Sequence, residues 1–114
     1  LEGVKRGRIK TELNRIGDIV MEDFKVNICG VPHKVFRKED TFSSDAEHFG
    51  EIRYKECEIY LSTGMKPEME NQTLIHEMMH GILFGIGRND LCHDEVLVQA
   101  LAQAMTGCFE VKKI

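Results

Sequence analysis

Thr73-Leu74-Ile75-His76-Glu77-Met78-Met79-His80-Gly81-Ile82-Leu83 is the stretch on which the reading of this 114-residue chain turns. Pro67 upstream suits the first turn of a helix, and Glu68 and Glu70 suit its positive end. The spacing predicts a helix from about Pro67 to Phe84, stopped in Gly85-Ile86-Gly87. Residues four apart share a helix face, so His76 and His80 stand one above the other and can grip one metal ion. Glu77, turned about 100° from His76, addresses a water on that ion and not the ion itself. Zinc hydrolysis divides its labour this way: two histidine ligands, a water-activating glutamate and an open position. With five histidines in the chain, the pattern His-Glu-x-x-His arises by chance about 0.02 times. Leu74, Met78 and Ile82 lie opposite the histidines, and Met79 and Leu83 flank them. A helix apolar nearly all round is buried, and two histidines and a glutamate in it are costly without a partner. The competing reading is a pair of satisfied core histidines beside an exposed Glu77.

A catalytic zinc needs a third protein ligand. A metzincin would place a histidine six residues after His80 and a glycine three after it, where this chain has Ile86 and Leu83. The candidates lie in His93-Asp94-Glu95. Glu95 shares a helical stripe with Val98, Ala102 and Met105, which predicts an acid turned toward the core. Glu95 leads on that ground, with Asp94 and His93 as alternatives; Cys92 reads as packing. His33 and His48 read as surface loop histidines. Tyr54, Tyr60 and Arg53 precede the helix, and one of them is a candidate to hydrogen-bond a developing oxyanion, against an ordinary cross-strand role.

The remaining chain predicts a small α+β domain over 1–114, with a small, mostly antiparallel sheet built from two hairpin-like strand pairs. Residues 1–8 are polar and basic and read as a frayed start, a solvated tail in preference to a DNA-contacting arm. Ile9, Leu13, Ile16 and Val20 mark an N-terminal amphipathic helix, weakened by Gly17. Alternation at Phe24, Val26 and Ile28, punctuation at Gly30-Val31-Pro32, and Val35-Phe36 predict a hairpin over 24–38. The polar stretch from Arg37 to Gly50 reads as a loop. Glu51–Tyr54 and Cys57–Leu61 form a second strand pair, with Cys57, Ile59 and Leu61 on one face. Asn89 and Asp90 are placed to cap a last helix, about 91–106, ended by Gly107 and antiparallel to the first.

Fifteen basic against nineteen acidic residues give a formal charge of −4, which argues against a dedicated nucleic-acid binder. No apolar run approaches the roughly 20 residues of a membrane span, and no secretion signal is visible. The cysteines, Cys29, Cys57, Cys92 and Cys108, are too widely spaced for a zinc knuckle and read as reduced, mostly buried thiols of a cytoplasmic protein.

The histidine stretch 73–83, the glycine turn, and Asp94-Glu95-Val96-Leu97-Val98-Gln99-Ala100-Leu101-Ala102 together resemble the small HExxH proteins of phages and integrative elements, similar to the ImmA/IrrE-type zinc metallopeptidase-like group. The resemblance covers about residues 50–108. Members place a third-ligand glutamate seven residues before an alanine, as Glu95 stands before Ala102. Their Glu-x-x-Ala-Asn run is absent, with Val98-Gln99 at those positions. The resemblance implies a minimal zincin-like fold with a gluzincin-like His76–His80–Glu95 zinc site. It also implies cleavage of a protein or peptide substrate such as a repressor. A zinc-stabilised interaction module without turnover is the alternative, and Glu77 argues against it because a structural site has no use for that carboxylate.

Overall fold

The computed structural model describes residues 21–39 and 49–114. The expected helix over Ile9–Val20, the frayed start, His48 and most of the expected 37–50 loop lie outside the described residues. The elements are β1 (Met21–Ile28), β2 (Val31–Lys38), β3 (Gly50–Arg53), β4 (Glu58–Ser62), α1 (Pro67–Gly85), α2 (Asn89–Cys92) and α3 (Glu95–Cys108).

β1 and β2 pair antiparallel through a two-residue turn at Cys29 (φ 53°) and Gly30 (φ 81°). Positive φ at both central positions matches the twist of the flanking strands. Val31 and Pro32, expected as punctuation, therefore belong to β2. Pro32 is tolerated because β4 pairs with β2 only from Lys34 onward. β3 and β4 also pair antiparallel, Ile52 facing Ile59. Cys57, expected to open the inward face of β4, lies instead in the connecting turn at φ 57°.

The two hairpins join side by side through β2 and β4, giving the order β1-β2-β4-β3. That central pairing is parallel, so a sheet expected to be mostly antiparallel is mixed. Alternation reports which face a residue takes and is silent on strand direction. On the outer edge of β1, Lys25 and Ile114 exchange backbone hydrogen bonds of 3.0 and 2.8 Å.

One sheet face carries Val26, Ile28, Val35, Ile59 and Leu61, which pack with Leu74 of α1. Gly81 lets α1 approach this face: a Cβ there would stand 2.9 Å from Ile52 Cδ1 and 3.0 Å from Ile28 Cδ1. The other side of α1 presents Ile75, Met79 and Leu83 to Cys92, Val98 and Ala102. The helix is covered on both sides, which is why its sequence is apolar nearly all round. On the opposite sheet face Phe36 stacks on Tyr60 at 5.0 Å, with the Arg53 guanidinium 4.3 Å over the Tyr60 ring.

α1 starts at Pro67 as expected and ends one residue beyond Phe84. Gly87 (φ 83°) supplies the left-handed stop, donating to the Phe84 carbonyl while Arg88 donates to that of Leu83. At its first turn Glu70 accepts two hydrogen bonds from Arg37, at 2.6 and 2.8 Å. The last helix departs from expectation, because it breaks at His93. Asp90 is engaged by Arg88, and Asp94 caps α3 through a 3.1 Å bond from the Leu97 amide. Gly107 lies within α3, which runs to Cys108. No helix among the described residues is long and apolar enough to cross a membrane.

Candidate metal centre

His76 and His80 project from the side of α1 that meets α3, their ring centroids 5.0 Å apart. Contacts along the two helices run in opposite senses. His80 meets Cys92 and Glu95, and His76 meets Glu95 and Gln99, so α3 is antiparallel to α1, as expected. His80 Nδ1 lies 2.6 Å from the Cys92 carbonyl oxygen, and His76 Nδ1 lies 2.7 Å from the Gln99 amide oxygen. Both oxygens only accept, so each Nδ1 carries the proton and donates it. That leaves Nε2 as the ring atom of each histidine turned toward Glu95.

Glu95 spans the pair. Its Oε1 is 3.1 Å from His76 Nε2 and its Oε2 is 3.3 Å from His80 Nε2. With neutral rings these contacts set acceptor against acceptor, and with protonated rings they are ion pairs. A proton on each ring, or one cation between the three groups, resolves that conflict. The candidate ligand atoms of His76, His80 and Glu95 all lie within 4.8 Å of one another, and a metal ion fits them.

Glu77 is buried, at 8% exposure, beside this cluster. Burial, then Glu95 and Glu51, push its carboxyl up to about 8. Gly50 of β3 backs it closely: a Cβ at Gly50 would stand 3.3 Å from Glu77 Cγ and Oε2 and 2.8 Å from Thr73 Cγ2. A strand glycine marks this close approach, and it seats the acid between β3 and α1.

Glu95 reaches the cluster, although not as the inward acid its stripe predicts. Val98 and Ala102 are fully buried, yet the Glu95 side chain is 68% exposed. It is the first residue of α3 and lays its carboxylate across the histidines from the solvent side. Of the alternatives, Asp94 is the α3 cap and His93 is exposed at the end of α2; neither joins the cluster. Cys92 is packing, as read, and its carbonyl also orients His80.

Tyr60 and Arg53 belong to the sheet face away from α1, because Tyr60 alternates with Ile59 and Leu61; that removes both as oxyanion donors. Tyr54 remains on the α1 side. It stacks on Phe84 at 4.4 Å, and its hydroxyl lies 3.2 Å from Cys92 Sγ. Burial first, then Cys92, Glu77 and Glu95, raise its pKa, so it stays a neutral donor. His33, read as a surface loop residue, is buried in β2 and bonded at 2.8 Å to the Val31 carbonyl. The four cysteines are unpaired, but only Cys92 is buried, while Cys29 and Cys108 are exposed.

Gln99 and the Cys92 carbonyl escape a reading confined to ligands. Gln99 had a signal, since it stands one turn after Glu95 on the same face. Comparison of the chain with protein-family models, with curated proteins and with solved structures returns no match.

Proposed function

We propose that the chain is a zinc-dependent metallopeptidase-like protein that hydrolyses a peptide bond in a protein substrate, with His76, His80 and Glu95 as ligands and Glu77 as general base. The convergence of the two Nε2 atoms and the Glu95 carboxylate, with both Nδ1 atoms already engaged, is the observation that carries this reading. When bound, zinc supplies Lewis acidity toward a carbonyl and acidifies water. Glu77 takes the proton of the attacking water and delivers it to the departing amine. In the metal-free chain its raised pKa keeps it largely neutral; a cation in the cluster favours the carboxylate it needs.

Among the described residues β3 is the last strand of the sheet and carries Gly50 against Glu77, so its outer backbone edge offers an extended peptide a place to pair beside the acid. A repressor encoded next to the gene is the first substrate to test, on the resemblance noted above. The unpaired cysteines support a reducing compartment such as the cytoplasm.

The test is the Glu77→Gln variant, assayed with that repressor and with a panel of unfolded proteins. It should keep zinc and fold while losing hydrolysis by about 10²–10⁴-fold. If wild type and variant act alike on every substrate, the zinc-stabilised interaction module replaces the peptidase.

A further inference from the structure

The two imidazoles are held by acceptors of different kinds. His80 is fixed by a backbone carbonyl, which no side-chain substitution removes, at 2.6 Å. His76 depends on one side chain, the amide oxygen of Gln99 at 2.7 Å. Gln99 stands one helical turn after Glu95, and the fully buried Val98 and Ala102 beside it clamp α3 against α1. One rigid stretch of helix therefore presents both the carboxylate that faces His76 Nε2 and the acceptor that faces His76 Nδ1.

We propose that Gln99 is a positioning residue: its amide oxygen fixes the tautomer and ring orientation of His76 and thereby sets the affinity of the His76–His80–Glu95 cluster for a divalent metal. The proposal rests on the metal-site reading above and extends it to a residue outside the ligand set. An acceptor at Nδ1 keeps the lone pair on Nε2 and holds the ring against rotation about its side-chain bonds. Without that acceptor the ring is free to exchange tautomers and turn away from Glu95. The acceptor here is neutral. A carboxylate in its place would draw harder on the Nδ1 proton and make Nε2 a stronger donor to a metal.

The test compares the full chain with its Gln99→Leu and Gln99→Glu variants, titrating Zn²⁺ against a chromophoric chelator at fixed pH. Thermal melts of the metal-free proteins run alongside, with ¹⁵N-edited spectra of the histidine rings. Gln99→Leu should weaken zinc binding about 10–100-fold, and Gln99→Glu should bind at least as tightly as wild type. The wild-type spectra should show His76 as a single Nδ1–H tautomer and those of Gln99→Leu a mixture. Wild-type affinity in Gln99→Leu, or equal weakening in both variants, overturns the proposal while leaving the metal site standing. If Gln99→Leu fails to fold, the wild-type tautomer and the Gln99→Glu affinity decide; a mixed tautomer or weakened binding is then the contrary result. No zinc uptake by wild type removes the site and the proposal together.

Discussion

Two polar clusters sit along α1, and they are built on opposite principles. At its first turn Arg37 stands between Glu70 at 2.6 Å and Asp23 at 3.1 Å. The contact is cation against anion. Hydrogen bonding to Glu70 raises the Arg37 pKa, and Arg37 holds the Glu70 carboxyl below its usual range. Two turns on, the Nε2 atoms of His76 and His80 meet the Glu95 carboxylate, and Glu77 beside them is pushed up to about 8. The first cluster closes on itself and ties the sheet to the helix. The second brings two imidazoles and a carboxylate together with no arginine or lysine among them, and could hold a metal ion. That difference separates a structural ion pair from a site.

The comparison breaks most decisively at His80. Zinc at about a thousand times its Kd should stabilise wild type by about 4 kcal/mol. For a domain of this size that raises Tm by on the order of 10 °C or more. His80→Ala should abolish the zinc-induced shift in a thermal melt. A variant still raised by zinc to the wild-type extent would show that the ion binds elsewhere.

A second effect, of comparable size, lies in the pH dependence of the metal-free protein. The Glu77 pKa rises from 4.5 unfolded to about 8 folded, so between these values the folded state holds the proton and the unfolded state has lost it. Stability then falls as pH rises through this window, by at most about 1.4 kcal/mol per pH unit, and levels off above it. Glu77→Gln removes this contribution. Denaturant melts between pH 5 and about 9 check it: the wild-type curve should descend relative to that of the variant, and parallel curves would contradict the account.

The smallest effect belongs to the closed cluster. Arg37→Leu should cost about 1 kcal/mol, because the pair is partly solvent-screened, and it should leave zinc binding unchanged. Glu70 gives the opposite pH sign to Glu77. Its depressed pKa contributes stability above its unfolded value, and this is lost as pH falls. Melts on the acid side, with and without Arg37, should show the difference; altered zinc affinity in Arg37→Leu would mean the clusters are coupled.

How far the sequence reaches differs along the molecule. α1 is legible almost to the residue because local chemistry marks both ends, Pro67 at the start and Gly87 in the left-handed stop. The pairing of β2 with β4 is not, since it joins residues such as Val35 and Ile59 far apart in the chain with nothing local to set direction. Asp94, three residues before Leu97, carries a readable cap signal, yet the apolar periodicity running through Leu91 conceals the break at His93. Glu95 is legible as a candidate, but the inward burial argued for it is wrong. A long side chain at a helix start reaches the histidines while staying two-thirds exposed. Gly50 matters through a tertiary contact alone, with the Glu77 side chain, while the place of Gln99 one turn after Glu95 is readable and its contact with Nδ1 of His76 is not.

The most direct test of the proposed metal centre is elemental analysis of the full chain, loaded with zinc and desalted, beside its His76→Ala, His80→Ala, Glu95→Gln and His93→Ala variants. The account predicts one zinc per wild-type chain, none in either histidine variant and weakened retention in Glu95→Gln, with His93→Ala as wild type. Stoichiometric zinc in both histidine variants, or loss of zinc through His93→Ala with Glu95→Gln unaffected, would contradict it.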